Sequence, residues 1–160
     1  MFFIVHRLTL FQCKLKNEFY KDALDISNKL IYSLVIMLTK IWSAANYGLE
    51  AIEIETEVNV AEKGFPGFTV VGLASKAVEE AKERVKTAIV NSEMEFPTAK
   101  ITVNLAPADL PKEGACYDLP IAVGILASSE QVELPKEKVY FFGELSLDGS
   151  LRHSRGVFLL

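Results

Sequence analysis

The sequence contains few of the residues that build disulfide frameworks or metal sites. Its 160 residues include two cysteines, Cys13 and Cys116, and two histidines, His6 and His153. The cysteines lie far apart in unlike contexts, which does not suggest a disulfide and suits a reducing cytoplasm. Neither histidine stands at metal-ligand spacing from a cysteine or a carboxylate, so the sequence does not predict a zinc site.

Long apolar runs and an excess of basic residues are also missing. The apolar run over residues 30–38 is too short to span a membrane, and the first residues lack the basic lead and cleavage site of a signal peptide. We therefore expect a cytoplasmic protein with no membrane partner. The formal net charge of −4 gives no electrostatic reason to expect direct binding to nucleic acid, although a local basic patch is compatible with it.

The composition that is present is that of one globular domain, with 50% hydrophobic and 24% charged residues. Residues 1–36 differ in character from the rest. Apolar residues at roughly helical spacing over residues 17–38 predict a helix, which either docks on a partner or on the domain's own sheet, or belongs to an extension outside the domain. Met37 stands directly before the first clear strand, so we favour an extension that results from an incorrectly assigned start codon.

From Lys40 onward, the hydrophobic pattern alternates between strands and helices. The predicted strands cover residues 41–45, 51–60, 69–72, 100–105 and 139–145, and an Asp-Gly hairpin turn at 148–149 leads into a return strand at 151–153. The predicted helices cover residues 74–91, with Ser75 as the cap, and 121–127, with Asp118 as the cap. The first has one apolar stripe, formed by Val78, Ala81, Val85 and Ile89, and the second is apolar almost all round, which predicts a buried helix.

Two local patterns allow a functional interpretation beside a structural one. The strand at 51–60 alternates, so that Ile54, Thr56 and Val58 lie on the face predicted to be buried and Glu53, Glu55 and Glu57 on the other. We favour a solvated acidic face over a row of metal ligands. The helix at 74–91 mixes both charge signs, which favours a solvated face, with Arg84 near Glu80, over a nucleic-acid contact.

The glycines of the Gly64-Phe65-Pro66-Gly67 stretch favour a type II turn with positive φ at Gly67. Their spacing matches neither the P-loop nor the dinucleotide-binding motif. The sequence therefore gives no reason to place a phosphate here.

Cys116 is the one candidate nucleophile, because it stands just before a predicted helix whose dipole would favour a thiolate. No histidine lies near it in sequence, Lys112 is the nearest cation, and an apolar setting would raise the thiol pKa. We therefore favour a small residue at a tight turn over a catalytic one. Asp109, Glu113 and Asp118 are interpreted as loop, turn and cap residues, not as an acid/base pair.

Four stretches carry a family resemblance: VNVAEKGFPGFTVVGL (58–73), VEEAKERVKTAI (78–89), ITVNLAPADLPKEGACYDLPIAVGIL (101–126) and FFGELSLDGSLRHSRGV (141–157). In this order they closely resemble the N-terminal domain of the ComM/YifB family, the magnesium chelatase-like AAA+ ATPases. The resemblance covers residues 37–160 and leaves residues 1–36 unmatched.

The resemblance implies an α/β (α+β) fold of the ribosomal protein S5 domain 2-like type, as in the Lon protease domain. Because the sequence ends on four apolar residues, we expect that fold to be cut short at its C-terminus. In the family, this domain precedes an ATPase module that binds ATP and Mg²⁺ and assembles into a ring, a hexamer. The ComM branch is associated with DNA branch migration during natural transformation.

The sequence contains no GxxxxGK[ST] motif, so it is predicted to be an accessory domain without enzymatic activity, cofactor or metal of its own. Lon-like proteases carry their serine after a similar turn, at the place of Cys116, and their lysine would fall near Phe158, where no lysine stands. A small Lon-like hydrolase that uses Cys116 is therefore one alternative. A free-standing DNA-binding module is another.

Overall fold

The computed structural model describes residues 38–47, 50–61, 63–72 and 74–153. All of these residues belong to one unit, Met37–Leu160. The helix predicted over residues 17–38 lies outside the described residues up to position 37, and so do Cys13, His6 and the apolar residues 157–160. Leu38 belongs to the first strand.

Eight elements follow one another along the described chain. They are β1 (Leu38–Tyr47), β2 (Glu50–Ala61), β3 (Gly67–Val71), α1 (Lys76–Asn91), β4 (Lys100–Ala106), α2 (Asp118–Ser128), β5 (Glu144–Leu145) and β6 (Leu151–Arg152). The strands and helices predicted over 41–60 and 69–127 are confirmed, with boundaries that move by a few residues.

The main sheet is mixed and has the strand order β1-β2-β4-β3. Strands β1 and β2 are antiparallel, as are β2 and β4, whereas β3 and β4 are parallel because α1 carries the chain back between them. Strands β5 and β6 form a separate antiparallel hairpin around the predicted Asp-Gly turn. The protein is therefore of the mixed α/β class.

The hydrophobic core lies between the helices and one face of the sheet. The predicted alternation in β2 is confirmed, since Ile54, Thr56 and Val58 are fully buried. The apolar stripe of α1 is also buried, and α2 is buried on nearly all sides, as an all-apolar helix requires. Among the described residues, neither helix is long and apolar enough to cross a bilayer.

Ser75 occupies the predicted cap position of α1, but its hydroxyl does not cap the helix. The Ser75 carbonyl accepts hydrogen bonds from the Val78 and Glu79 amides at 3.0 Å, and the Ser75 amide donates to the Lys112 carbonyl at 3.2 Å. The side-chain oxygen is buried without a hydrogen-bond partner. The backbone of Ser75, and not its side chain, joins α1 to the loop that carries Lys112.

The strand predicted at 139–145 is largely wrong, because only Glu144 and Leu145 pair as a strand. Tyr140 makes a single bridge to Trp42 in β1. The Gly143 amide then donates to the Cys116 carbonyl at 2.9 Å, and the Leu119 amide donates to the Gly143 carbonyl at 3.1 Å. These two bonds draw the chain away from β1 and onto the start of α2.

The type II turn predicted at Gly67 is also wrong. Gly64 has the positive φ, +116°, whereas Gly67 is the first residue of β3. The Gly67 amide donates to the Ala99 carbonyl at 3.2 Å. Gly67 is therefore paired with β4 as a strand residue and does not adopt the left-handed conformation of a type II turn.

Candidate functional site

The turn between β4 and α2 is the first candidate site, because it carries Cys116. Gly114 adopts φ +83°, a left-handed conformation that glycine adopts without strain, and the chain turns here, next to Glu113, which was interpreted as a turn residue. The Asp118 amide then donates to the Ala115 carbonyl at 3.1 Å. Cys116 therefore lies between the Gly114 turn and the hydrogen bond that joins Asp118 to Ala115.

Lys112 does not serve as the cation for this thiol. Its side chain is fully buried, and its ammonium donates a hydrogen bond to the Pro107 carbonyl within the same loop. Burial lowers the pKa of Lys112, and the carboxylate of Asp109 opposes part of that shift. Lys112 thus holds the loop together from the inside.

Cys116 is half-buried, and its Sγ lies 3.9 Å from the Glu113 carbonyl oxygen. Burial raises the pKa of the thiol to about 11, and the nearby carboxylate of Asp118 acts in the same direction. The thiol is therefore protonated at neutral pH. Because the thiolate is the nucleophilic form, this environment suppresses the chemistry that the helix start favours.

The thiol opens onto a cavity of about 540 Å³ that the sequence did not predict. Its wall includes Tyr47 at the end of β1, Glu144 in β5 and His153 after β6. The fold thus brings His153 to the cavity of Cys116, although the two are distant in sequence. Within the part of the chain that the structure describes, the thiol bonds to the Glu113 carbonyl and makes no hydrogen bond to His153.

Asp118 is not the helix cap that the sequence predicted. Tyr117 occupies the cap position, and Asp118 is the first residue of α2, with a fully buried side chain. Its carboxylate accepts hydrogen bonds from Arg84 Nε at 2.8 Å, from Arg84 Nη2 at 3.1 Å and from the Leu145 amide at 3.3 Å. Burial raises the pKa of Asp118, and the Arg84 guanidinium opposes that shift.

Arg84 was predicted to pair weakly with Glu80, but its side-chain hydrogen bonds go to Asp118, and Glu80 adds only a favourable charge interaction. The guanidinium instead crosses from α1 to α2 and binds Asp118 with two nitrogens, which matches the fork of the group to a carboxylate. Glu80 lies 4.0 Å from Lys76. The Arg84–Asp118 pair is structural, since it joins α1, α2 and β5.

The three glutamates of β2 are paired with other side chains. Glu55 and Glu57 lie 2.7 and 3.7 Å from the ammonium of Lys40. Asn104 donates to Glu57 at 2.8 Å, and this bond lowers the pKa of Glu57. The face is therefore an ion-paired surface, and within the described ranges no three acidic, histidine or cysteine side chains are grouped as metal ligands.

Glu53 belongs to a separate cluster at the edge of β1. Lys138 and Tyr140 both donate to the Glu53 carboxylate. The Lys138 ammonium lies 3.8 Å from the ring centroid of Trp42 and 5.3 Å from that of Tyr140. These contacts attach the segment after α2 to the outer edge of the sheet.

Comparison with known proteins gives a family. The model of the family described as subunit ChlI of Mg-chelatase matches residues 56–160. The chain belongs to the ChlI family.

Two similar proteins confirm the resemblance to ComM and YifB. The chain is 49% identical over 121 residues to the competence protein ComM of Haemophilus influenzae, covering 75% of this chain and 24% of that protein. It is 52% identical over 116 residues to YifB of Escherichia coli, covering 72% of this chain and 23% of that protein. The chain therefore spans about a quarter of the length of the curated relatives that it matches.

In the described part of this ChlI family member, the candidate catalytic side chains are held in states that do not favour catalysis. The position near Phe158, where a Lon-like lysine would fall, lies outside the described residues. Cys116 is protonated, Lys112 is buried inside its loop and Asp118 is bound to Arg84. These side chains are therefore engaged in structural contacts, with backbone carbonyls at Lys112 and Cys116 and with Arg84 at Asp118.

Sequence reasoning missed the Arg84–Asp118 pair and the approach of His153. A partner at i,i+4 is visible in a sequence, whereas Asp118 lies on another helix and has no local signal that links it to Arg84. His153 reaches the cavity only because the β5–β6 hairpin folds back. The one available clue was Asp118 itself, since a carboxylate before an all-apolar helix needs a partner if it is buried.

Proposed function

We propose that this chain is an accessory domain of a ComM/YifB-type magnesium chelatase-like AAA+ ATPase and contains no ATPase site of its own. The observation that carries the proposal is the family match over residues 56–160 in a sequence without a GxxxxGK[ST] motif. The relatives are about four times longer than the matched stretch, which leaves room in them for an ATPase module.

The proposed fold is the S5 domain 2-like type that also occurs in the Lon protease domain. The parallel β3–α1–β4 unit beside the antiparallel β1–β2 pair supports it, as does the packing of both helices on one side of the sheet. The location of the Cys116 turn between β4 and α2 agrees with this assignment. The protonated thiol argues against a Lon-like hydrolase.

The partners and cofactors follow from this assignment. The domain works beside an ATPase module, which binds ATP and Mg²⁺ and forms a ring homo-oligomer, a hexamer. DNA is the substrate of the ring, whose activity is branch migration during transformation, in the cytoplasm. The identity of 49% to a protein named for competence supports this proposal.

A domain exchange tests the proposal. The 121 residues of Haemophilus influenzae ComM that match this chain are replaced by residues 37–160, and transformation frequency is measured in the host strain. We expect the exchanged protein to restore transformation, whereas ComM that lacks the stretch does not. The isolated chain should hydrolyse no ATP above the blank.

Two results would contradict the proposal. One is ATP hydrolysis by the isolated chain that resists removal of contaminating ATPases. The other is an exchanged ComM that accumulates and assembles normally but leaves transformation at the level of the deletion. A control exchange that reinserts the native ComM stretch shows that the cloning junctions are tolerated.

A further inference from the structure

A large aromatic side chain stands exposed beside the edge of the main sheet. Phe65, just ahead of β3, is 95% exposed, the highest value among the large hydrophobic residues that the structure describes. Next to it, a groove of about 530 Å³ lies between the start of β3, the outer side of α1 and residues 96–99. Phe68 and Phe96 line this groove, with ring centroids 6.0 Å apart. We call Phe65 together with this groove the Phe65 surface.

The backbone at the Phe65 surface is suited to binding an extended polypeptide. Strand β3 is the last strand of the sheet and pairs with β4 on one side, and no described strand lies on its other side. Val71 at the end of β3 is 45% exposed. An edge strand presents a row of backbone donors and acceptors, which a further strand can satisfy.

The charges around the groove favour a polypeptide over a nucleic acid. Lys86 is exposed and lies 5.8 Å from the centroid of Phe96, and Lys100 is exposed beside Gly67 in the strand register. However, Glu83 also lines the groove, and Lys82 is paired with Glu79. A continuous phosphate backbone would meet Glu83 unfavourably, whereas a peptide can place acidic side chains near the lysines and apolar ones over the rings.

We propose that the Phe65 surface binds an extended segment with acidic and apolar side chains, contributed by the part of the longer relatives that lies outside the matched stretch. The segment adds beside β3 and covers Phe65. The inference rests on the proposed function, since it makes the remainder of the ATPase the occupant. That remainder is about three quarters of each relative, because the chain covers 24% of ComM and 23% of YifB.

A binding measurement between two separate chains tests this inference. The full chain is titrated with Haemophilus influenzae ComM from which the matched 121 residues have been deleted. Two variants alter the surface: Phe65→Ser, which removes an exposed ring without touching the core, and Lys86→Glu, which reverses an exposed charge. Two controls change similar residues elsewhere: Leu147→Ser in the β5–β6 hairpin, where Leu147 is 53% exposed, and Lys136→Glu beside β1 at the opposite sheet edge.

We expect Phe65→Ser to weaken binding by about tenfold or more, as the loss of a central aromatic anchor does. Lys86→Glu should weaken it less and make binding less sensitive to salt, while both controls stay within about twofold of the wild type. Circular dichroism on each variant confirms that the fold is retained.

The possible failures are distinguishable. If the wild-type chain binds the deleted ComM but Phe65→Ser binds equally well, the inference is overturned and the proposed function stands. If the wild-type chain does not bind at all, the inference is overturned and the proposed function is weakened with it. A single-stranded oligonucleotide serves as a second probe. If Phe65→Ser loses oligonucleotide binding and keeps ComM binding, the surface serves nucleic acid and the inference is overturned.

Discussion

At Cys116, the start of a helix and burial act on the thiol in opposite directions, and burial is the stronger effect. The helix start favours a thiolate, but desolvation raises the pKa of the group to about 11. Lys112 shows the same effect for a cation, since burial lowers its pKa while its ammonium bonds to the Pro107 carbonyl. The residues of this turn are therefore kept in their neutral or hydrogen-bonded states by their surroundings.

The first prediction concerns the reactivity of Cys116 towards iodoacetamide in a Cys13→Ser background. Alkylation should begin only as the pH rises towards about 11, because the folded protein disfavours the thiolate. At about pH 8, a thiol with this pKa is ionised to roughly one part in a thousand, against roughly one in four for a free cysteine. The rate is measured by mass spectrometry across the pH range. Urea-unfolded protein is the control and should titrate near the ordinary value, and a plateau below about pH 9 in the folded protein would refute the prediction.

The second prediction concerns Thr56, which is fully buried in β2 and whose hydroxyl has no hydrogen-bond partner. Thr56→Val keeps the branched shape and removes the unpaired group, so the free energy of unfolding should rise by about 1 kcal/mol. Thr69→Val in β3, where the side chain is exposed, should change it by less than about 0.5 kcal/mol. Urea titration compares the two variants, and a less stable Thr56→Val protein would show that the hydroxyl has a partner.

At the scale of the elements, one ion pair joins three pieces of the fold. Arg84 extends from α1 to the first residue of α2, and the same Asp118 carboxylate accepts the amide of Leu145 in β5. A fully buried carboxylate is costly when it is ionised without a partner. Arg84 therefore determines how α1 and α2 pack, although it lies on the partly exposed side of its helix.

The third prediction is that Arg84→Met destabilises the protein by about 3–5 kcal/mol, because Asp118 stays buried without its cation. Arg152→Met is the matched control, since Arg152 lies 3.9 Å from Glu144 on the surface, and it should cost less than about 1 kcal/mol. Both values come from urea unfolding of the full chain.

The pH dependence of Arg84→Met supplies a further check on the same prediction. Burial already raises the pKa of Asp118, and the loss of Arg84 removes the group that opposes this shift. A carboxyl whose folded pKa lies above its unfolded pKa destabilises the protein when ionised, and this cost disappears as the pH falls through the folded pKa. The gap to the wild type should therefore narrow from about pH 8 to about pH 5. A gap that widens on acidification would contradict the assignment of the buried carboxylate.

At the scale of the whole molecule, the net charge is acidic and many of the charged side chains are paired with one another. The net charge is −4, and the glutamates of β2 are paired with Lys40, Lys138 and neighbouring polar groups. The relatives that the chain matches are about four times as long as the matched stretch.

The fourth prediction is that the chain alone does not bind duplex DNA at physiological salt with a dissociation constant below about 10⁻⁴ M, the weak end of non-specific binding. Fluorescence anisotropy of a labelled duplex at low and physiological salt measures this. Tight binding with a steep salt dependence would instead support the free-standing DNA-binding module.

The fold was predictable from the sequence wherever the pattern of residues within a single strand, helix or turn determines its structure. The alternation in β2 identified Ile54 and Val58 as core residues, and the helical period of α1 identified Val78 and Val85, because both periods are local. The glycine turn at Gly114 was also predictable, since positive φ has a compositional signal.

The rest depends on contacts between distant residues. The strand predicted at 139–145 fails because Gly143 bonds to Cys116 and Leu119, which no local pattern reveals. In the candidate site, the sequence identified Cys116 and its turn, but it could not place His153 at the same cavity. The partner of Arg84 was missed for the same reason.

Trp42 is the single tryptophan of the chain, and the Lys138 ammonium lies 3.8 Å from the centroid of its ring. The indole is therefore a built-in optical probe of whether the segment after α2 is attached to β1. Lys138→Met removes the positive charge from the ring face and should change the emission spectrum, whereas Lys136→Met should not. An unchanged spectrum in Lys138→Met would show that the ammonium does not stay over the ring. If the spectrum does change, tryptophan emission during unfolding reports on the release of this segment from β1. Circular dichroism reports on the helices in the same experiment.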